Sequence, residues 1–128
     1  MDYSSEVLRR FGRGTERRTA SGASACVVGE AEDRTLGVWV KLELAVADVR
    51  ILGAAYEVYG CPHTVAAADW VAEWLRGKPL DAVDKLDIRA VAATLDVPAQ
   101  KLGKLLRIED ALIACMQQLN GDINERNQ

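Results

Sequence analysis

Between positions 36 and 46 apolar residues fall on every second place. Val38, Val40, Leu42, Leu44 and Val46 share one side, while Trp39, Lys41 and Glu43 take the other. Successive side chains of a strand point to opposite faces, so this stretch predicts a strand with one face on a core and one toward solvent. That habit belongs to antiparallel sheets. Two further strands are predicted over 25–30 and 51–59, the latter reached through the hairpin-length link Ala47-Asp48-Val49-Arg50. From Gly60 onward the spacing turns helical. Pro62 suits a first helical turn, where its missing N–H costs nothing. The helix it opens is predicted to run to about Arg76 and to stop at Gly77. Shorter helices are predicted over 80–86 and 88–95, with Asp81 and Asp87 as N-caps. After Pro98 a long helix carries Leu102, Leu105, Leu106, Leu112, Ile113, Met116 and Leu119 as its apolar stripe. Upstream, Tyr3, Val7, Leu8 and Phe11 predict a short amphipathic helix ending at Gly12. Residues 13–24 read as a basic loop or arm, and 120–128 as a polar, frayed tail. Strands first and helices afterwards is the α+β order: a small three-stranded antiparallel sheet with helices packed on one face, in one domain over 1–128.

Composition narrows the setting. Of 128 residues 49% are hydrophobic and 27% charged, ordinary values for a globular domain and unlike those of a disordered chain. Lys41, Glu43 and Glu57 interrupt the apolar stretches, so no membrane span is expected, and the first residues lack the basic-then-apolar pattern of a secretory leader. A cytoplasmic protein is the expectation. The net charge of −3 gives no general attraction to nucleic acid. Arg9, Arg10, Arg13, Arg17 and Arg18, opposed only by Glu16, form the one basic cluster, read as a solvated arm or a contact for an acidic partner.

Candidate chemistry concentrates at Tyr59-Gly60-Cys61-Pro62-His63, where the last strand hands over to the first long helix. Cys61 falls at the N-cap, where unpaired N–H groups and the helix dipole favour a thiolate. Cys61 and His63 can supply two metal ligands, yet a closed tetrahedral site needs four. The alternative is a small N-cap thiol beside a surface histidine. Whether helix terminus or burial governs the Cys61 pKa is left open by the sequence. Three cysteines at irregular spacing read as free thiols. Cys26 reads as a core filler and Cys115 as buried and inert. A single histidine offers no credible nucleophile–base set, and no phosphate-binding Gly-rich turn follows a strand, so an enzyme is not expected.

Several segments together resemble the IscU/NifU-type iron–sulfur cluster scaffold family. They are the opening Tyr3-Ser4-Ser5-Glu6-Val7, then Tyr59-Gly60-Cys61, then Glu73-Trp74-Leu75-Arg76-Gly77-Lys78-Pro79-Leu80-Asp81, and downstream Asp87-Ile88, Val97-Pro98, Lys101-Leu102 and Glu109-Asp110-Ala111-Leu112. The resemblance implies a SufE/NifU-like fold and a role in iron–sulfur cluster assembly, with iron binding and an iron–sulfur cluster or zinc as the bound group. It also implies a cysteine desulfurase and a dedicated chaperone as partners. The family's first ligand turn, Cys-Gly-Asp, falls on Leu36-Gly37-Val38, and its histidine–cysteine pair falls on Gly103-Lys104. Only Cys61 keeps its ligand, with His63 as a second metal donor beside it. The chaperone-recognition segment reads Val97-Pro98-Ala99-Gln100-Lys101, of which half is kept. A [2Fe–2S] unit normally takes four thiolate or imidazole donors. The expectation is therefore a scaffold-like protein degenerate in cluster binding, with three alternatives: a non-catalytic interaction module for the sulfur-transfer machinery, a persulfide- or metal-binding thiol protein acting through Cys61, and a homodimer pooling Cys61 and His63 from two subunits.

Overall fold

The computed structural model describes residues 25–126, so the predicted opening helix and basic arm lie outside the described residues. Three antiparallel strands, β1 (Ala25–Asp33), β2 (Val38–Ala47) and β3 (Arg50–Tyr59), form one sheet in the order β1-β2-β3. The alternation of β2 holds throughout: Val38, Val40, Leu42, Leu44 and Val46 are buried, and the residues between them are not. The hairpin from β2 to β3 is tight because Asp48 adopts a left-handed conformation (φ 56°), which a short polar side chain tolerates. The β1–β2 turn takes up Leu36 and Gly37, where the strand was predicted to begin. There the Leu36 N–H donates to Asp33 Oδ1 (3.1 Å) and Gly37 sits at φ 70°.

Helices cover one face of the sheet. Helix α1 (Pro62–Leu75) lies against β3 through Ala66, Ala67, Ala68, Val71 and Ala72, small residues that let helix and sheet approach closely. The Tyr56 hydroxyl donates to Asp69 Oδ1 (3.1 Å) across that seam. The helix ends where predicted. Gly77 takes φ 82°, and the segment behind it runs beside the outer edge of β3. The Gly77 N–H donates to the Ile51 carbonyl (2.8 Å), the Ile51 N–H to Lys78 (2.8 Å), and the Leu80 N–H to Val49 (2.7 Å). The Gly77-Lys78-Pro79-Leu80 run thus covers part of an edge that would otherwise expose unpaired backbone groups.

A 3-10 helix (Leu80–Lys85) and α2 (Ile88–Thr94) follow. Asp87 caps α2 by accepting from the Arg89 N–H (3.0 Å). Asp81 is not a cap; it lies inside the first turn of the 3-10 helix, whose N-cap is Pro79. After another 3-10 turn (Ala99–Lys101), α3 (Leu102–Arg126) crosses β1 and β2. Its buried stripe is Leu105, Ile108, Ala111, Leu112, Cys115 and Leu119. Ile113, predicted inside, is 48% exposed, because one residue beyond Leu112 is about 100° further round the helix. The backbone stays helical through Asn120 to Arg126, where fraying was predicted; extending a formed helix costs far less than starting one. Among the described residues no helix is long and apolar enough to cross a membrane.

Candidate functional site

Cys61 sits where β3 ends and α1 begins. Its backbone is extended (φ −79°, ψ 164°), and its carbonyl accepts from the N–H groups of Thr64 (3.0 Å) and Val65 (3.2 Å). Its Sγ lies 3.5 Å from Thr64 Oγ1, a hydrogen-bonded pair within the first helical turn. Two other segments close on this point. A β-carbon at Gly60 would stand 3.5 Å from Val38 Cγ2, so the start of β2 adjoins the Cys61 turn. A β-carbon at Gly103 would stand 3.4 Å from Leu36 Cδ1, so the start of α3 adjoins the β1–β2 turn. Lys104, next along α3, acts electrostatically on both the Cys61 thiol and the His63 ring. Leu36, Val38, Cys61, Gly103 and Lys104, dispersed in sequence, gather on one rim.

The electrostatics of the rim answer the question the sequence left open. Burial pushes the Cys61 thiol up and is the largest single influence. The Thr64 hydroxyl, the amides of Thr64 and His63, and the Lys104 ammonium together outweigh it, leaving the thiol below its ordinary range. His63 is lowered first by burial and then by repulsion from Lys101 and Lys104, so its ring is neutral at pH 7. Cys115 is the opposite case. Buried, and donating to the Leu42 carbonyl at 3.4 Å, it is pushed up to about 12. Alkylation of the intact chain by iodoacetamide is therefore expected to label Cys61 with a half-maximal pH below that of a free thiol, and to leave Cys115 unlabelled while the chain is folded. Peptide mass spectrometry across pH reads this directly, with Cys61→Ser as the control; labelling of Cys115 ahead of Cys61 would contradict it.

Some predicted assignments change. His63 is only 1% exposed, not a surface histidine, because it enters the first turn of α1 on the side facing the fold. It and Cys61 stand two residues apart, a spacing that does not share a helix face. Cys26 is exposed and not a core filler: β1 turns Val27 and Gly29 inward, which sends Cys26 out. Cys26 also pairs with Ala45, whereas Tyr59 pairs with Trp39, six residues along β2 and about 20 Å away. It cannot reach the rim. Among the described residues no three His, Cys, Asp or Glu side chains converge in a way that would hold a metal ion. Thr64 was missed in the sequence, and Lys101, read there only as part of the chaperone-recognition segment, was not placed beside His63. A hydroxyl three residues after an N-cap cysteine was the available signal for Thr64; nothing local tied Lys101 to His63, which it reaches only through the fold.

Comparison with known proteins places this geometry. The NifU-like N terminal domain matches residues 2–125, almost the entire chain. The chain belongs to the NifU-like N-terminal domain family. Among relatives, the iron–sulfur cluster assembly scaffold protein IscU of Escherichia coli K12 is 31% identical over 96 residues, covering 74% of this chain and 67% of that protein. The iron–sulfur cluster assembly protein IscU of Plasmodium falciparum is 26% identical over 115 residues, covering 87% and 69%. In three dimensions the NifU-like protein (N-terminal) from Brucella abortus superposes with a TM-score of 0.71 at 17% identity, over 92% of this chain and 94% of that one. A putative scaffold protein for the SUF system from Fervidobacterium islandicum gives 0.68 at 18%, over 88% and 96%. Both structural matches establish the fold. The α+β family fold, three antiparallel strands with helices on one face, is the one expected from the sequence.

Proposed function

We propose that this NifU-like domain is a non-enzymatic, cytoplasmic protein of iron–sulfur cluster assembly that has kept the scaffold fold and lost family-type cluster holding within a single chain. One observation carries the reading: the positions matched to the family's ligand turn and helix pair, Leu36, Val38, Gly103 and Lys104, gather around Cys61, and none of them offers a thiolate, carboxylate or imidazole. The donor set does not fit a [2Fe–2S] unit, because Cys61 and a buried His63 leave at least two donors wanting. What remains is a surface for the partners of the family, a cysteine desulfurase and a dedicated chaperone, with Cys61 at its centre.

The test is anaerobic reconstitution of the full chain with iron, sulfide and thiol, followed by size exclusion and analysis of the monomer for iron, labile sulfide and visible absorption. The expected monomer is colourless and retains neither. A monomer holding a [2Fe–2S] unit overturns the reading. In parallel, a purified cysteine desulfurase is expected to retain the chain, while an unrelated acidic protein of similar size is not retained.

The lowered Cys61 thiol favours a second reading, in which Cys61 accepts one sulfur from a desulfurase persulfide. The Cys61 thiolate attacks the outer sulfur, a new S–S bond forms on Cys61, and the desulfurase thiolate leaves.

A further inference from the structure

The middle of α3 carries a surface that the Cys61 rim does not use. Val83 from the 3-10 helix and Leu86 just after it, with Leu112, Ile113 and Met116 from α3, wall a groove of about 390 Å3 open to solvent. Ile113 stands 48% exposed on its wall, in a helix whose other face is core. Among the described residues the charged members of the lining are Asp84 and Glu109, with no lysine or arginine beside them. From Glu109 to Asn120 the α3 wall spans about 17 Å, or three helical turns. A trough with a three-turn wall along α3 and a one-turn wall at 83–86, apolar at its centre, suits one face of an amphipathic helix, and an unbranched methionine lets it adapt to the entering side chains. The acidic rim selects the sign of the visitor's flanks and disfavours an acidic one.

We propose that this groove docks a basic amphipathic helix of a partner protein, about three turns long, with apolar residues on Ile113 and Met116 and lysine or arginine flanks on Asp84 and Glu109. Its α3 wall begins at Glu109, five residues and about 7.5 Å along the helix from Lys104, and none of Leu36, Val38, Cys61, Gly103 and Lys104 lines it. The proposal stands on the groove and does not depend on the cluster-binding reading.

The probe is a synthetic amphipathic peptide of about four turns with a leucine stripe and lysine flanks, titrated into the 15N-labelled full chain. Amide shifts are expected over 83–86 and 109–120 and not around Cys61. Ile113→Asp and the pair Asp84→Lys/Glu109→Lys are each expected to weaken binding at least tenfold. Ile113 is half-exposed, so its variant keeps the parent circular dichroism and Tm. The same peptide with glutamate flanks is expected not to bind. No binding, or binding indifferent to these variants, overturns the proposal. So does a concentration-dependent dimer dissolved by Ile113→Asp, which gives the groove to a second copy. Tighter peptide binding in the full chain carrying Leu8→Ser and Phe11→Ser does the same, because it gives the groove to the chain's own opening segment.

Discussion

The chain carrying Leu36→Cys, Val38→Asp, Gly103→His and Lys104→Cys together is expected to emerge from anaerobic reconstitution coloured, with about one [2Fe–2S] unit per monomer, where the parent retains none. With Cys61 the four changes complete a set of three thiolates and an imidazole, with a carboxylate at hand. They also remove the Lys104 cation, which repels iron while it lowers the Cys61 thiol. The geometry favours the combination. A β-carbon at Gly103 meets Leu36 Cδ1 at 3.4 Å, so the larger side chain at 103 gains room when the leucine at 36 is shortened. Any one change alone leaves too few donors and is expected to retain nothing. Iron and sulfide analysis with visible absorption reads the outcome, and Cys61→Ala in the fourfold background should abolish it. A colourless fourfold variant with parent-like circular dichroism would mean that the rim does not bring these positions together as described.

Gly29→Ala is expected to be the most damaging single methyl in the described fold. A β-carbon there would overlap the Ala111 carbonyl oxygen and lie 2.6 Å from the Cys115 nitrogen and 2.9 Å from Cys115 Sγ. Two of these three neighbours are backbone atoms in the middle of α3, so no side-chain rotation relieves the overlap. The helix must lift from β1, and with it the contacts of Leu105, Ile108 and Leu112 with the sheet. Overpacking of this kind costs about 3 kcal/mol or more, against a total stability on the order of 10 kcal/mol for such a domain. Chemical denaturation is expected to show that loss, and thermal melting a fall of roughly 10–15 °C. Adding Cys115→Ala removes only the sulfur and is expected not to restore stability. Parent-like melting of Gly29→Ala would place α3 further from β1 than the structure does.

Much of the fold was legible because it is written locally. The two-residue period of β2 and the Pro62 start and Gly77 stop of α1 each follow from a few neighbouring residues, and so does the Asp87 cap. The stripe of α3 was only partly legible. Ala111 is small enough to pass as a neutral position, yet it is buried, as Cys115 was expected to be, because β1 presents Gly29 opposite them. For the site, the motif at Tyr59-Gly60-Cys61 was readable, whereas the burial of His63 and the exposure of Cys26 were not. Both depend on which side of an element faces the core, and a single residue in an isolated stretch does not fix that.

The sequence by itself determined the order of elements, their periods and their ends, and its resemblance to the scaffold family drew attention to positions 36, 38, 103 and 104. Tertiary structure alone decided that those positions stand together around Cys61, that hydrogen bonds and Lys104 outweigh burial at its sulfur, and that the middle of α3 leaves an acid-rimmed groove open. The division has a physical cause. Periodicity and capping are set by steric and hydrogen-bonding preferences over a few residues, whereas a site or groove assembled from separate segments exists only after helices and sheet have packed against one another.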